Sequence, residues 1–195
     1  MNLPIVAFGS PILRKVAVDI DANYPDLAIL LANMWETMYS SSGVGLAAPQ
    51  INKSVRIFTV DSAQIFANAD EEDKEEMEAY TDAPGIKETF INAHIVELNG
   101  NPWAYNEGCL SIPKIREDVL RPESVTLKYQ NEKMETFTKT FTGITARVIL
   151  HEYDHLEGKL FIDYLSPLKK RLMKSKLNDI SNLKTRTDYR MILAK

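Results

Sequence analysis

The chain has 195 residues, 45% of them hydrophobic and 26% charged, and it carries a formal net charge of −4. This length and composition predict a single globular domain, residues 1–195, with a substantial core. The acidic balance argues against a general DNA- or RNA-binding protein. No apolar run approaches the roughly 18 residues of a membrane span.

The N-terminus and the cysteine content bear on the cellular location. The first residues lack the basic, apolar and small-residue regions of a signal peptide. The only cysteine, Cys109, permits no internal disulfide, which is typical of a protein in a reducing compartment. We therefore expect a cytoplasmic protein with no membrane partner.

The first half of the chain predicts a helix, a loop, a strand and a polar insertion. Residues 25–41 have apolar side chains at helical spacing, and the glycines and proline of residues 42–50 break that helix. The segment "SVRIFTVD" (54–61) is rich in β-branched and aromatic residues, which is typical of a strand. After it, residues 70–82 hold eight acidic residues and one lysine. We predict that residues 62–88 form an acidic surface insertion that is helical in its most acidic part.

The second half predicts strands first and helices later. The segment "ETFINAHIVEL" (88–98) is a strand candidate, and residues 123–143 alternate in the manner of a hairpin that turns at Asn131. Residues 145–158 predict a helix, and residues 166–185 predict a second, C-terminal helix. This order indicates the α+β class, with antiparallel sheets packed around a central helix that carries an HExxH motif.

The motif is "HEYDH", residues 151–155, and it predicts a metal site. Residues four apart lie on one face of a helix, so His151 and His155 can bind the same ion. Glu152 lies near that ion without being a ligand, where it can take a proton from water. Two protein ligands are too few for a catalytic site, which usually has three.

The third ligand must be an aspartate or come from upstream. No glutamate follows Glu157, and Phe161 stands where a metzincin has its third histidine. His94 and Cys109 are then the strong candidates, because imidazole and thiolate both suit zinc and ferrous iron. Three classes stay open on the residues alone: a metallohydrolase, an HExxH protease that cuts internal peptide bonds, and a structural zinc protein with His94 as fourth ligand.

Three separated stretches resemble the signature motifs of the peptide deformylases: "GVGLAAPQ" (43–50), "EGCLS" (107–111) and "HEYDHLEG" (151–158). Their order and spacing agree with that family over nearly the whole chain, and "EGCLSIP" is similar to the bacterial type 1 branch. The resemblance implies a metal-dependent hydrolase that removes the formyl group from the N-terminal formyl-methionine of new polypeptides. Two departures are the long acidic insertion and Ala93, where the family usually has proline.

The resemblance also implies roles for individual residues. The metal ligands would be Cys109, His151 and His155. The expected ion is ferrous iron, with zinc or nickel as possible substitutes. Glu152 would be the base, and the side-chain amide of Gln50 and the backbone N–H of Leu110 would donate to the oxyanion. Arg147 interrupts an apolar wall of the substrate pocket, whose residues would be Val44, Gly45, Arg116, Ile144 and Val148.

A charged pair is expected behind the metal ligands. Asp154 lies inside the motif, one residue before a ligand, and Arg121 matches an arginine of the family. Pairing of the two would fix the helix that carries the histidines. Breaking such a pair costs about 3–5 kcal/mol when it is buried, whereas an exposed pair contributes about 0–1 kcal/mol.

The C-terminal helix, residues 166–185, is expected to be a docking element remote from the active site. Its apolar stripe against the body would consist of Leu168, Leu172, Leu177, Ile180 and Leu183. Its basic face would bind ribosomal RNA near the tunnel exit, where formyl-methionine emerges. Removal of the residues after about Ser166 would then spare hydrolysis of a short formyl-peptide, provided that the fold survives.

Overall fold

The computed structural model describes residues 1–69 and 84–194, and it has the predicted α+β architecture. The helices are α1 Leu27–Ser40, α2 Ala63–Asn68, α3 Gly143–Leu156, α4 Pro167–Leu172 and α5 Lys174–Ser181. The strands are β1 Ile5–Val6, β2 Gly45–Ala47, β3 Ile57–Asp61, β4 Lys87–Asn99, β5 Trp103–Cys109, β6 Ile112–Arg121, β7 Ser124–Gln130, β8 Thr136–Thr142 and β9 Met191–Ile192. The helix predicted in the most acidic part of the insertion lies outside the described residues. Within them, no helix is long and apolar enough to cross a bilayer.

The strands form one large sheet and two small ones. The large sheet is antiparallel, with the order β2-β3-β4-β7-β8. Strands β5 and β6 form a separate antiparallel hairpin, whereas β1 and β9 pair in parallel. The prediction of antiparallel sheets is confirmed for the large sheet and the hairpin. It is wrong for the small pair, because β9 belongs to a C-terminal tail with no strand pattern in its sequence.

The predicted hairpin turn at Asn131 is confirmed. The side-chain Oδ1 of Asn131 accepts hydrogen bonds from the backbone N–H groups of Lys133, at 2.9 Å, and Glu135, at 3.0 Å. Asparagine favours turns because its short side chain can replace a backbone acceptor in this way. The turn joins β7 to β8 and so completes one edge of the large sheet.

Helix α3 lies at the centre of the fold, and 12 of its 14 residues are buried. On one side, Ala146 and Ile149 pack in a core cluster with the aromatic side chains of the large sheet. Phe58 and Phe90 stack there with their ring centroids 4.7 Å apart. Burial of this apolar surface stabilises the fold by about 25 cal/mol for each Å² removed from water.

A glycine allows α3 to end close to the N-terminal segment. Gly158 has a φ of +67°, which is the left-handed conformation that favours glycine. A Cβ atom at this position would lie 2.6 Å from the backbone oxygen of Arg14. The end of the helix and the N-terminal segment could not approach this closely with any other residue.

The C-terminal helix differs from the prediction in length and in its buried face. It is broken at Met173 into α4 and α5, and it ends at Ser181 and not at residue 185. Of the predicted stripe, Ile180 is buried and Leu177 packs beside it, and Met173 is buried as well. The other three leucines predicted to pack are exposed to 67%, 76% and 44%, namely Leu168, Leu172 and Leu183. The prediction is wrong for these three leucines, because the break at Met173 prevents one continuous helical face.

Candidate metal centre

Three potential metal ligands converge beside α3. Cys109 ends β5, and His151 and His155 lie one turn apart on α3; their ligand atoms all lie within 4.8 Å of one another. The Cys109 Sγ and His155 Nε2 atoms are 3.3 Å apart. A tetrahedral ion with Zn–S and Zn–N bonds of about 2.3 and 2.0 Å would hold these atoms roughly 3.5 Å apart. The donor set therefore fits one divalent ion.

The β5–β6 hairpin positions the cysteine. Leu110 and Ser111 form the turn between Cys109 and Ile112, which are paired across the hairpin. The pairing register shifts between Gly108 and Cys109, as in a β-bulge. Bulges turn a strand's side chains away from the regular alternation, and here the thiol faces the two imidazoles.

His155 is held in the form that binds a metal. It is 1% exposed. Burial lowers the pKa of His155 well below its usual value, so the imidazole stays neutral at physiological pH. Neutral imidazole is the metal-binding form of histidine.

His94 lies away from this cluster. It is on β4, its side chain is about half exposed, and its Nε2 atom lies 3.0 Å from a carboxylate oxygen of Asp19. The alternative of a closed structural zinc site with His94 as fourth ligand is therefore wrong.

A buried network of charges lies behind the ligands. The Glu107 carboxylate accepts hydrogen bonds from His151 Nδ1 at 2.9 Å, Arg121 Nε at 2.6 Å and Arg147 Nη1 at 3.1 Å. Burial would raise the pKa of Glu107, but the bonds from His151 and Arg121 hold that pKa far below its usual range. Since His151 uses Nδ1 here, Nε2 is the nitrogen left for an ion. Sequence reasoning gave Glu107 no role, although it lies within the quoted "EGCLS" motif.

The predicted pair of Arg121 and Asp154 is confirmed. The Arg121 Nη1 and Asp154 Oδ2 atoms are 2.6 Å apart, and both side chains are at least 90% buried. Arg121 thus joins the hairpin carrying Glu107 to the helix carrying the histidines. The orientation of α3 relative to β5 depends on this contact.

Glu152 lies beside the cluster with one oxygen that has no hydrogen-bond partner among the described residues, Oε2. Burial raises the pKa of this carboxyl to about 7, although His151 acts in the opposite direction. A Cβ atom on Gly45 would lie 2.5 Å from Glu152 Oε1, so only glycine leaves room for the carboxylate. A carboxyl group with a pKa near neutrality can both accept and return a proton.

Gln50 and Leu110 lie on the other side of the cluster. Gln50 is 1% exposed, and its Oε1 accepts a hydrogen bond from the backbone N–H of Ala47 at 2.9 Å. That bond directs the Nε2 donor toward Cys109 Sγ, 3.5 Å away, and Ser111 Oγ, 3.3 Å away. The amide of Gln50 and the turn at Leu110 therefore both lie against the metal ligand.

The cluster opens into a cavity of about 870 Å³. Of the predicted substrate-binding residues, Val44, Gly45, Arg116 and Val148 line it, together with Glu152 and Gln50. Ile144 is 3% exposed and lies outside the lining residues, one helical turn farther from the ligands than Val148. Arg116 is already bound to Asn106, through its Nε at 2.9 Å and its Nη2 at 2.6 Å.

Arg147 lines the same cavity but belongs to the charged network. Its guanidinium donates to the backbone oxygens of Trp103 at 2.6 Å and Val119 at 3.0 Å. It also lies over the Trp103 ring, 4.5 Å from the centroid. The buried charge of Arg147, which interrupts the apolar wall, is therefore offset by its polar and aromatic partners on the hairpin.

The C-terminal tail also lines the cavity, which sequence reasoning missed. Residues 186–189 follow α5 and contribute Arg186, Thr187, Asp188 and Tyr189 to the wall. The expectation that removal of residues after Ser166 spares hydrolysis must be corrected, because that deletion removes part of the cavity. The local sequence pattern of the tail does not indicate that these residues reach the cavity, since only tertiary contacts bring them to its wall.

Comparison with known proteins identifies the family. The model of the polypeptide deformylase family matches residues 2–171. The peptide deformylase of Christiangramia forsetii is 52% identical over 191 residues, covering 98% of this chain and 95% of that protein. The crystal structure of a peptide deformylase from Legionella pneumophila superposes with a TM-score of 0.77 and 33% identity, covering 96% of this chain and 99% of that one. A class I type b deformylase from Acinetobacter baumannii, crystallised with Met-Ala-Ser bound, gives a TM-score of 0.72 and 32% identity, covering 85% and 99%.

These matches agree with the geometry of the site. They cover nearly the whole chain, and the metal dependence of the family accords with the converging cysteine and histidines. The HExxH protease and the structural zinc protein are thereby set aside. The chain belongs to the peptide deformylase family, the hydrolases that remove the N-formyl group from the N-terminal methionine of newly made polypeptides.

Proposed function

We propose that Cys109, His151 and His155 hold one divalent ion and that Glu152 is the catalytic base of deformylation. The observation that carries this proposal is the convergence of the three ligand atoms within 4.8 Å, with the partly unpaired Glu152 carboxylate beside them. The native ion is ferrous iron, and zinc or nickel can replace it. One thiolate and two imidazoles are a donor set that suits all three ions.

When bound, the ion supplies a Lewis acid that polarises the formyl group and makes a water molecule more acidic. Glu152 Oε2 accepts the proton of that water as its oxygen bonds to the formyl carbon. The same carboxyl then returns the proton to the departing amine, the C–N bond breaks, and formate and the free N-terminus are released. A pKa near 7 in the buried carboxyl suits both proton transfers.

Two donors stabilise the charge that develops on the formyl oxygen. They are the side-chain amide of Gln50 and the backbone N–H of Leu110. The bond from Ala47 N–H to Gln50 Oε1 holds the amide with its nitrogen toward the cluster, which supports this role. Loss of one such donor typically lowers the rate by about 10²–10³-fold.

The substrate peptide binds in the cavity as an extended chain. Gly45 offers main-chain hydrogen bonds, Val44 and Val148 contact the methionine side chain, and Arg116 binds the carbonyl end of the peptide. The Met-Ala-Ser bound by the Acinetobacter baumannii deformylase makes a peptide of this length a sensible first ligand for the cavity.

The test combines turnover and metal content in single variants. Glu152→Gln keeps the size of the side chain and should lower kcat by about 10²–10⁴-fold with the metal retained. Cys109→Ala should lose the metal. His94→Ala is the matched control, and it should keep both the metal and the activity. Loss of metal in Glu152→Gln would show that Glu152 is a ligand and would overturn its assignment as a base.

The reaction itself is tested by the choice of substrate. A formyl-Met peptide and its N-acetyl counterpart differ only in the hydrogen or methyl group on the reacting carbonyl. The formyl-peptide should react much faster, since the formyl carbon carries only a hydrogen where the acetyl group has a methyl. Equal rates, or cleavage at internal peptide bonds, would contradict the proposal.

We further propose a cytoplasmic enzyme that binds the ribosome through its two C-terminal helices. Their exposed basic residues support this, namely Lys170, Arg171, Lys174 and Lys176. Contacts between lysine or arginine and RNA phosphates release counterions, so binding should weaken steeply as salt increases.

Charge reversal tests ribosome binding without removing the tail that lines the cavity. The test variant carries Arg171→Glu, Lys174→Glu and Lys176→Glu. The control carries the same charge change at exposed positions elsewhere, as Lys15→Glu, Lys53→Glu and Lys128→Glu. Only the first variant should lose co-sedimentation with ribosomes at low salt, while both hydrolyse a short formyl-peptide normally. Equal co-sedimentation of the two would contradict ribosome binding by these helices.

A further inference from the structure

The chain after α5 returns to the metal centre and is anchored there. Strand β9 pairs in parallel with β1, and the backbone N–H of Ala7 donates to the carbonyl of Ile192 at 2.8 Å. Farther along, the N–H of Ala194 donates to Ser10 Oγ at 3.1 Å. The N-terminal segment therefore holds the tail in place through these hydrogen bonds.

This anchoring sets Tyr189 at the wall of the cavity. The phenol is partly buried against the cluster formed by α1 and β2, and its hydroxyl donates to the carbonyl oxygen of Leu110 at 2.8 Å. Thr187 Oγ1 in turn donates to the backbone oxygen of Tyr189 at 2.6 Å. Burial raises the pKa of Tyr189, so its hydroxyl remains a donor throughout the neutral range.

The hydrogen bond from Tyr189 reaches a two-residue turn whose conformation depends on contacts from outside the hairpin. Leu110 and Ser111 are the whole connection between β5 and β6. Ser111 is held on both sides, because its carbonyl accepts from Phe8 N–H at 2.9 Å and its hydroxyl lies 3.3 Å from Gln50 Nε2. The carbonyl of Leu110 is held by Tyr189. Short turns have alternative peptide orientations of similar energy, so an outside contact decides which orientation is populated.

We propose that Tyr189 is a positioning residue for deformylation: its hydroxyl fixes the Leu110 carbonyl, and thereby directs the Leu110 N–H toward the formyl oxygen. The Leu110 N–H belongs to the preceding peptide unit, which meets the anchored unit at the Leu110 Cα. The bond from Tyr189 holds the carbonyl and with it the position of that Cα, so its loss would let the turn shift and displace the N–H. The inference rests on the proposed role of that N–H as an oxyanion donor. The hydroxyl of Tyr189 acts through its bond to the turn at Leu110.

The experiment compares Tyr189→Phe with Tyr129→Phe in the full-length, nickel-loaded enzyme. Tyr129 is a buried tyrosine whose hydroxyl bonds to Glu88 in the large sheet, so its variant loses a comparable bond away from the site. Tyr189→Phe should lower kcat by about 3–10-fold, the worth of one hydrogen bond, with KM and metal content unchanged. Hydrogen exchange of the Leu110 amide should become faster. Tyr129→Phe should melt earlier and keep kcat and the Leu110 exchange rate.

A third variant separates failure of this inference from failure of the oxyanion proposal. Gln50→Leu removes the other donor and should lower kcat by about 10²–10³-fold. If Gln50→Leu loses activity while Tyr189→Phe keeps both kcat and the Leu110 exchange rate, the inference fails and the oxyanion site stands. If neither variant lowers kcat, the oxyanion proposal fails as well. A lower kcat in Tyr189→Phe with unchanged exchange at Leu110 would also overturn the positioning role.

Discussion

The two sides of α3 are packed by different kinds of contact. The side that faces the large sheet is apolar, with Ala146 and Ile149 against aromatic rings such as Phe90. The side that faces the β5–β6 hairpin carries Arg147, His151 and Asp154, whose partners are charged or polar groups of the hairpin. One helix therefore joins an apolar core to a buried network of charges.

The two kinds of contact contribute differently to stability and to the geometry of the site. Apolar burial is roughly proportional to area and has no preferred direction. Hydrogen bonds to charged groups are directional, but burying the charges costs about as much as their attraction returns. The sheet side should therefore supply most of the stability, whereas the hairpin side should orient the imidazoles.

The largest effect is expected from breaking the charged side at Arg121. Arg121→Ala leaves Glu107 and Asp154 buried with fewer partners, which should lower the free energy of unfolding by about 3–5 kcal/mol. Metal affinity should fall too, because Glu107 also orients His151. Denaturant unfolding and metal titration measure the two changes. Unchanged unfolding and full metal retention would mean that the network contributes to neither.

An intermediate effect is expected from the apolar side at Phe90. Phe90→Leu should lower the free energy of unfolding by about 1–2 kcal/mol, since the leucine leaves part of a fully buried site unfilled. Metal content and kcat should stay at the wild-type values. A variant that loses metal affinity in proportion to its stability would show that the two sides of α3 are not separable.

The smallest effect is expected from an exposed pair of the same chemistry as the buried one. Arg14 and Asp163 form a salt bridge with side chains that are 44% and 37% exposed. Asp163→Asn should cost only about 0–1 kcal/mol, because water screens the pair. If Asp163→Asn lowered the free energy of unfolding as much as Arg121→Ala does, burial would not explain the difference between the exposed and the buried pair.

The exposed pair also predicts a dependence on pH. Burial would raise the pKa of Asp163, but Arg14 and the backbone N–H of Leu160 lower that pKa below its usual value. A carboxyl with a depressed pKa in the folded state stabilises the protein above the usual pKa of about 4 and loses this contribution as the pH falls through the folded-state value. The difference in unfolding free energy between wild type and Asp163→Asn should therefore shrink as the pH falls below about 4.

Local features of the sequence determined the central helix and the candidate metal ligands on it. The spacing of His151 and His155 requires a helix for both to reach one ion, and the structure has that helix. The turn at Asn131 and the pairing of Arg121 with Asp154 were also predicted correctly. Each of these predictions rests on short-range geometry or on a family motif, which is why no long-range contact had to be known.

Tertiary structure alone decided the arrangement around these ligands. The buried partners of Arg147, the break at Met173 and the return of Tyr189 to Leu110 leave no periodic pattern in the chain. The contacts of Arg147 and Tyr189 join residues 28 to 79 positions apart, where pairing depends on how whole elements pack. The sequence by itself thus determined which residues can bind the metal, and the packing of the hairpin and the C-terminal tail decided how those residues and their neighbours are held.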